Sequence, residues 1–66
     1  MDKEMFVYEM KKAGFKTPES RAEAIGLSSI SAYYRRISGD CEFSQSEICK
    51  VAEILGWDKA KTIFFS

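Results

Sequence analysis

The stretch Pro18-Glu19-Ser20-Arg21-Ala22-Glu23-Ala24-Ile25-Gly26-Leu27-Ser28-Ser29-Ile30-Ser31-Ala32-Tyr33-Tyr34-Arg35-Arg36-Ile37-Ser38-Gly39 decides the fold. Its first third reads as a short helix. Thr17 stands before it as an N-cap, Pro18 suits the first helical position, and Glu19 favours the positive end of the macrodipole. Ala22 and Ile25 share a face, and Gly26 ends the helix. Leu27-Ser28 forms a brief turn, and Ser28 or Ser29 caps a second helix. There Ile30, Tyr33, Tyr34 and Ile37 fall at i, i+3, i+4 and i+7, an apolar stripe at helical period. The opposite face carries Ser31, Ala32, Arg35 and Arg36, and Gly39 closes the helix. The small Ala22 lets the two helices approach, Gly26 permits the unusual backbone angles of the turn, and Leu27 packs the turn onto the core. The stretch predicts a helix-turn-helix.

The flanks extend this pattern. Lys3 to Lys12 is dense in apolar residues (Met5, Phe6, Val7, Tyr8, Met10). Phe6, Met10 and then Ala13 follow the helical period, and Gly14 is the stop. Ser44 and Glu47 form a capping box for a fourth helix. Its buried stripe is Ile48, Val51, Ala52 and Leu55, and Gly56 ends it. The tail from Trp57 to Phe65 predicts a last short helix capped by Asp58. Trp57, Ile63, Phe64 and Phe65 are read as closing the core, the alternative being an exposed apolar patch for dimerisation. No strand-like alternation, repeat or linker interrupts the chain. The expectation is an all-α, five-helix, single domain over residues 1–66. With 66 residues the core is small. An apolar content of 45% with nine aromatic residues is enough to build one.

Several function classes find no support. There is no histidine to act as a general base. The serines of Ser28–Ser31 lack a base partner, and the four glycines read as helix stops. Cys41 and Cys49 are too few for a structural zinc site. We therefore expect no catalytic residues, no metal and no cofactor. The N-terminal residues have no apolar run of the kind a leader needs, and no segment approaches the roughly 20 apolar residues of a membrane span. The expected setting is cytoplasmic, within a bacterial host cell, with no membrane partner.

Formal net charge is zero, whereas nucleic-acid binders usually carry a basic excess. The distribution is uneven. Residues 1–10 balance to −2, residues 11–36 to +4 and residues 37–66 to −2. The basic block thus lies on the helix-turn-helix.

Three segments taken in order are Ala22-Glu23-Ala24-Ile25-Gly26-Leu27-Ser28, Tyr34-Arg35-Arg36-Ile37-Ser38-Gly39, and Glu42-Phe43-Ser44 with Ser46-Glu47-Ile48 and Val51-Ala52-Glu53-Ile54-Leu55-Gly56. With the ending Ile63-Phe64-Phe65, they resemble the small phage-type Cro and lambda-repressor-like (XRE) helix-turn-helix family. The resemblance spans nearly the whole chain. It implies a lambda-repressor-like fold and a sequence-specific transcriptional regulator of phage or mobile-element type, with the third helix in the major groove of double-stranded DNA. Operators of that family are often palindromic, which would suit a homodimer.

The chain departs from the family pattern at Arg21, where most members carry leucine or phenylalanine, and in Gly26–Gly39, which is one residue longer. The candidate DNA-binding residues are Arg35 and Arg36, for guanine or phosphate, with Ser28, Ser29, Ser31 and Ala32 near base edges. Lys16, Thr17 and Ser20 would meet phosphate, Tyr34 could do so through its hydroxyl, and Arg21 is a weaker candidate of the same kind. The alternative is a helix-turn-helix module that engages a repressor protein, as a modulator or antirepressor does, without strong DNA binding.

Overall fold

Four of the helices begin where a short polar side chain satisfies an orphan amide. The computed structural model describes residues 1–65. Five helices occur among them: α1 (Lys3–Lys12), α2 (Pro18–Ala24), α3 (Ile30–Ser38), α4 (Gln45–Leu55) and α5 (Trp57–Phe65). Asp2 caps α1 by accepting the Met5 N–H. Thr17 and Ser20 cap α2 reciprocally, Ser29 caps α3, and Ser44 with Glu47 caps α4. No strand occurs among the described residues.

The turn between α2 and α3 is a Schellman closure. The Leu27 N–H donates to the Ala22 carbonyl at 2.9 Å, and the Gly26 N–H to the Glu23 carbonyl at 3.1 Å. This geometry puts Gly26 at φ +86°, where a side chain is strained. A Cβ there would also stand 3.0 Å from the Lys50 ammonium, which α4 lays beside the turn. Helix α3 starts only after Ser29, so Leu27–Ser29 is non-helical.

The core is built from Phe6, Met10, Ala22, Ile25, Tyr33, Val51 and Ile63. Phe6 is its centre, with ring centroids 6.5 Å from Tyr33, 5.8 Å from Phe43 and 6.4 Å from Phe64. Helix α3 packs on α2, and α5 packs on α4 and α1. The Asp2 N–H also donates to the Ile63 carbonyl at 2.8 Å, tying the start of the chain to α5.

Four expectations are corrected. Ala13 is exposed, because α1 has ended and Ala13 is only its C-cap. Asp58 is not a cap. Gly56 alone separates α4 from α5, so Asp58 already lies in the first turn. The tail divides rather than closing as a unit: Ile63 is buried and Phe64 half-buried, whereas Trp57 and Phe65 are 54% and 70% exposed. Tyr34, placed on the apolar stripe of α3 by spacing and also a candidate phosphate contact through its hydroxyl, is 53% exposed, and of the two tyrosines only Tyr33 is buried. The helix-turn-helix of α2 and α3 and the capping box at Ser44 are as expected. No helix among the described residues is long and apolar enough to cross a membrane.

Candidate nucleic-acid interface

Helix α3 has neighbours on two sides, and these decide which of its residues remain free. On the α2 side, Tyr33 is buried and its hydroxyl accepts a 2.8 Å hydrogen bond from Arg21 Nε. On the α4 side, Arg36 Nε donates to Glu47 Oε1 at 2.7 Å, and Arg36 Nη1 donates to the Ala32 carbonyl at 3.1 Å. The inward face is therefore Tyr33, Arg36 and Ile37. The outward face is Ser31, Tyr34, Arg35 and Ser38, again at i, i+3, i+4 and i+7, and all four are exposed.

Arg35 and Arg36 thus have different roles. Among the described residues the Arg35 side chain has no hydrogen bond or ion pair, so its fork of donors is open to solvent. Arg36 is half-buried and already spends two donors inside the protein. Its placement on the surface face of α3 is corrected: α4 presents a carboxylate to it, and the ion pair draws it inward.

The Arg36–Glu47 pair also completes a helix cap. Glu47 Oε1 accepts the Ser44 N–H at 2.9 Å as well as the Arg36 bond. Burial by itself would raise the Glu47 pKa, but the Arg36 hydrogen bond and the Ser44 amide outweigh it and hold the carboxyl below its ordinary range. The Glu47 hydrogen bond in turn raises the Arg36 pKa. Because the folded pKa of Glu47 is depressed, the unfolded chain binds more protons across that window. The pair's contribution is complete above the ordinary glutamate pKa of about 4.3 and is lost as pH falls through the folded value. Glu9, lowered chiefly by its bond from Lys59, acts in the same direction. Chemical denaturation as a function of pH should show stability falling on acidification through this range. Glu47→Gln should be less stable at neutral pH and show a shallower acid slope. Equal slopes would mean that the pair does not titrate with folding.

The remaining candidates divide by what their hydroxyls already do. Ser28 and Ser31 are exposed, and neither side chain has a hydrogen bond among the described residues. Ser29 is exposed, but its Oγ accepts the Ala32 N–H at 3.2 Å. Ala32 is half-buried. Lys16 and Thr17 are exposed ahead of α2. Thr17 Oγ1 accepts the Ser20 N–H, while Ser20 accepts the Thr17 N–H and donates its hydroxyl proton to the Thr17 carbonyl at 2.8 Å. Ser20 therefore has no proton left to offer a phosphate. Arg21 is withdrawn entirely at 5% exposure, so its role as a phosphate contact is corrected. Ser38 was missed by the sequence analysis. The polar counterpart of the apolar period, taken two turns on from Ser31, would have found it. Its hydroxyl donates to the Arg35 carbonyl at 3.1 Å.

Compared with protein-family models, curated proteins and solved structures, the chain matches none.

Proposed function

We propose that the protein belongs to the helix-turn-helix DNA-binding class, with α3 entering the major groove. Within that class it is a sequence-specific transcriptional regulator of phage or mobile-element type, as the order of its motifs suggests by resemblance. The observation that carries this reading is the outward face of α3, where Arg35 stands free between Ser31, Tyr34 and Ser38. An unpaired guanidinium on an exposed helix face has the geometry for bidentate contact with guanine. Lys11, Lys12 and Lys16 are exposed and supply positive charge for the phosphates. Trp57 and Phe65 leave apolar surface on α5, which supports a second copy as a further partner.

One observation favours a second reading, a module that engages a repressor protein. Burial of Arg21 and pairing of Arg36 leave Arg35 as the one exposed arginine of the basic block.

Salt titration of binding to a random duplex separates the two. If Lys11, Lys12 and Lys16 all meet phosphate, log affinity should fall with log salt with a slope of about −2.7 per protomer, at about −0.9 for each phosphate neutralised. Absence of binding even at low salt would exclude the DNA reading and leave the protein-binding one.

A further inference from the structure

Arg21 is a buried cation without a carboxylate. Its residue exposure is 5%, and neither ion pair among the described residues includes it. Burying a charge is costly unless its donors are satisfied. Nε donates to the Tyr33 hydroxyl at 2.8 Å, and Nη1 donates to the Phe15 carbonyl at 3.1 Å. The guanidinium carbon also lies 5.7 Å from the centre of the Tyr33 ring. One side chain therefore joins three elements: the segment after α1, helix α2, and the buried side of α3.

The contact continues to the surface. The Tyr33 ring meets Tyr34 edge to face, with centroids 5.6 Å apart and planes at 69°. Tyr34 stands on the outward face of α3 beside Arg35. A buried hydrogen bond of fixed direction holds Tyr33, and Tyr33 is the wall against which the exposed Tyr34 ring rests. An apolar side chain at position 21 could fill the volume but could not orient the Tyr33 hydroxyl.

We infer that Arg21 is a positioning residue. It orients Tyr33, and through Tyr33 it sets the Tyr34 ring on the base-reading face, so that it governs discrimination between sequences rather than attraction to DNA. This rests on the DNA-binding reading. Phosphate contacts supply salt-dependent affinity and base contacts supply specificity. Arg21 is placed to affect only the second. The Tyr34 ring edge is then a specificity contact, of the kind that meets a thymine methyl.

The test uses the whole chain, a duplex selected by the wild type from a randomised pool, and poly(dI-dC) as non-specific competitor. Arg21→Leu leaves the Tyr33 hydroxyl without its donor and should cost some stability, so binding is compared at a temperature where circular dichroism shows it folded. The variant should reduce the ratio of specific to non-specific affinity about tenfold and leave the salt slope unchanged. Tyr33→Phe keeps the ring and removes only the acceptor, and it should produce the same loss. The double variant should lose no more than either single one. Arg21→Lys should fail to restore specificity, because an ammonium lacks the divergent fork. An unchanged ratio in both single variants would overturn the inference. A salt slope reduced by one phosphate in Arg21→Leu would also overturn it, by showing direct contact.

The free protein gives a readout independent of DNA. Arg21→Leu and Tyr33→Phe should both shift the Tyr34 ring resonances. Unmoved Tyr34 resonances would overturn the positioning role even if the wild type binds DNA. Conversely, shifted resonances in a protein that binds no duplex would support the Arg21–Tyr33–Tyr34 linkage and place the failure in the DNA reading.

Discussion

Arg35→Ala and Arg36→Ala are expected to fail in opposite ways, although the residues are adjacent. Arg35→Ala removes an exposed side chain with no partner among the described residues, so helicity and thermal midpoint should stay close to wild type. Specific DNA affinity should fall roughly 10- to 100-fold, the usual worth of one good arginine–guanine contact. Arg36→Ala leaves the Glu47 carboxylate buried with only the Ser44 amide as partner. That should destabilise the domain by about 1–3 kcal/mol, on the order of a buried charged hydrogen bond lost. The pair retains some solvent contact, at 20% and 11% side-chain exposure, which places it below a fully interior ion pair. Circular dichroism melts and binding isotherms on both variants check the contrast. If Arg35→Ala lowers the midpoint while Arg36→Ala lowers only binding, the assignment of the two roles is reversed.

Phe6→Ala should have the largest effect on stability. Phe6 is fully buried and its ring meets Tyr33, Phe43 and Phe64. Truncating a buried phenylalanine typically costs about 3–5 kcal/mol. A domain of this size has a total stability of roughly 3–10 kcal/mol. The variant should therefore be marginally folded or unfolded at room temperature, as far-UV circular dichroism and urea titration will report. Because Phe6 connects α1 to α3, to the segment before α4 and to α5, its loss should abolish DNA binding together with the fold. A variant that melts within a few degrees of wild type would show that the four aromatic rings do not form a single cooperative core.

The two predictions draw on differently legible parts of the chain. Phe6 and Met10 could be assigned to the core from spacing alone, because burial of a helical stripe repeats with a period set by the backbone. The same holds for Val51 and Ala52. The caps at Thr17 and Ser44 were legible for a related reason: a cap is made within three residues of itself, whereas the choice between Ser28 and Ser29 fell to Ser29 only in the fold. Arg35 and Arg36 were not separable in that way. They are neighbours of the same chemical type, and only the location of α4 distinguishes them.

Arg21 is a similar case. The sequence marks it as a charged residue at a position where the resembling family carries a large apolar one. It does not reveal whether the charge points outward to phosphate or inward. Tyr33, twelve residues away, supplies the acceptor that makes the inward position tolerable, and that separation is bridged only by the folded turn.

The amino-acid sequence by itself determined five helices, the caps at Thr17 and Ser44, the Gly26 turn and most of the core, because each depends on interactions spanning a few residues or on a repeating period. The tertiary structure decided which edge of α3 faces inward. The apolar stripe of Ile30, Tyr33 and Ile37 is bordered by Tyr34 on one side and leads to Arg36 on the other. At about 100° per residue, local pattern favoured Tyr34 as the buried border. Helix α4 reversed that choice by bringing Glu47 to Arg36, since a hydrogen-bonded ion pair makes arginine acceptable at the helix interface and leaves the tyrosine in solvent.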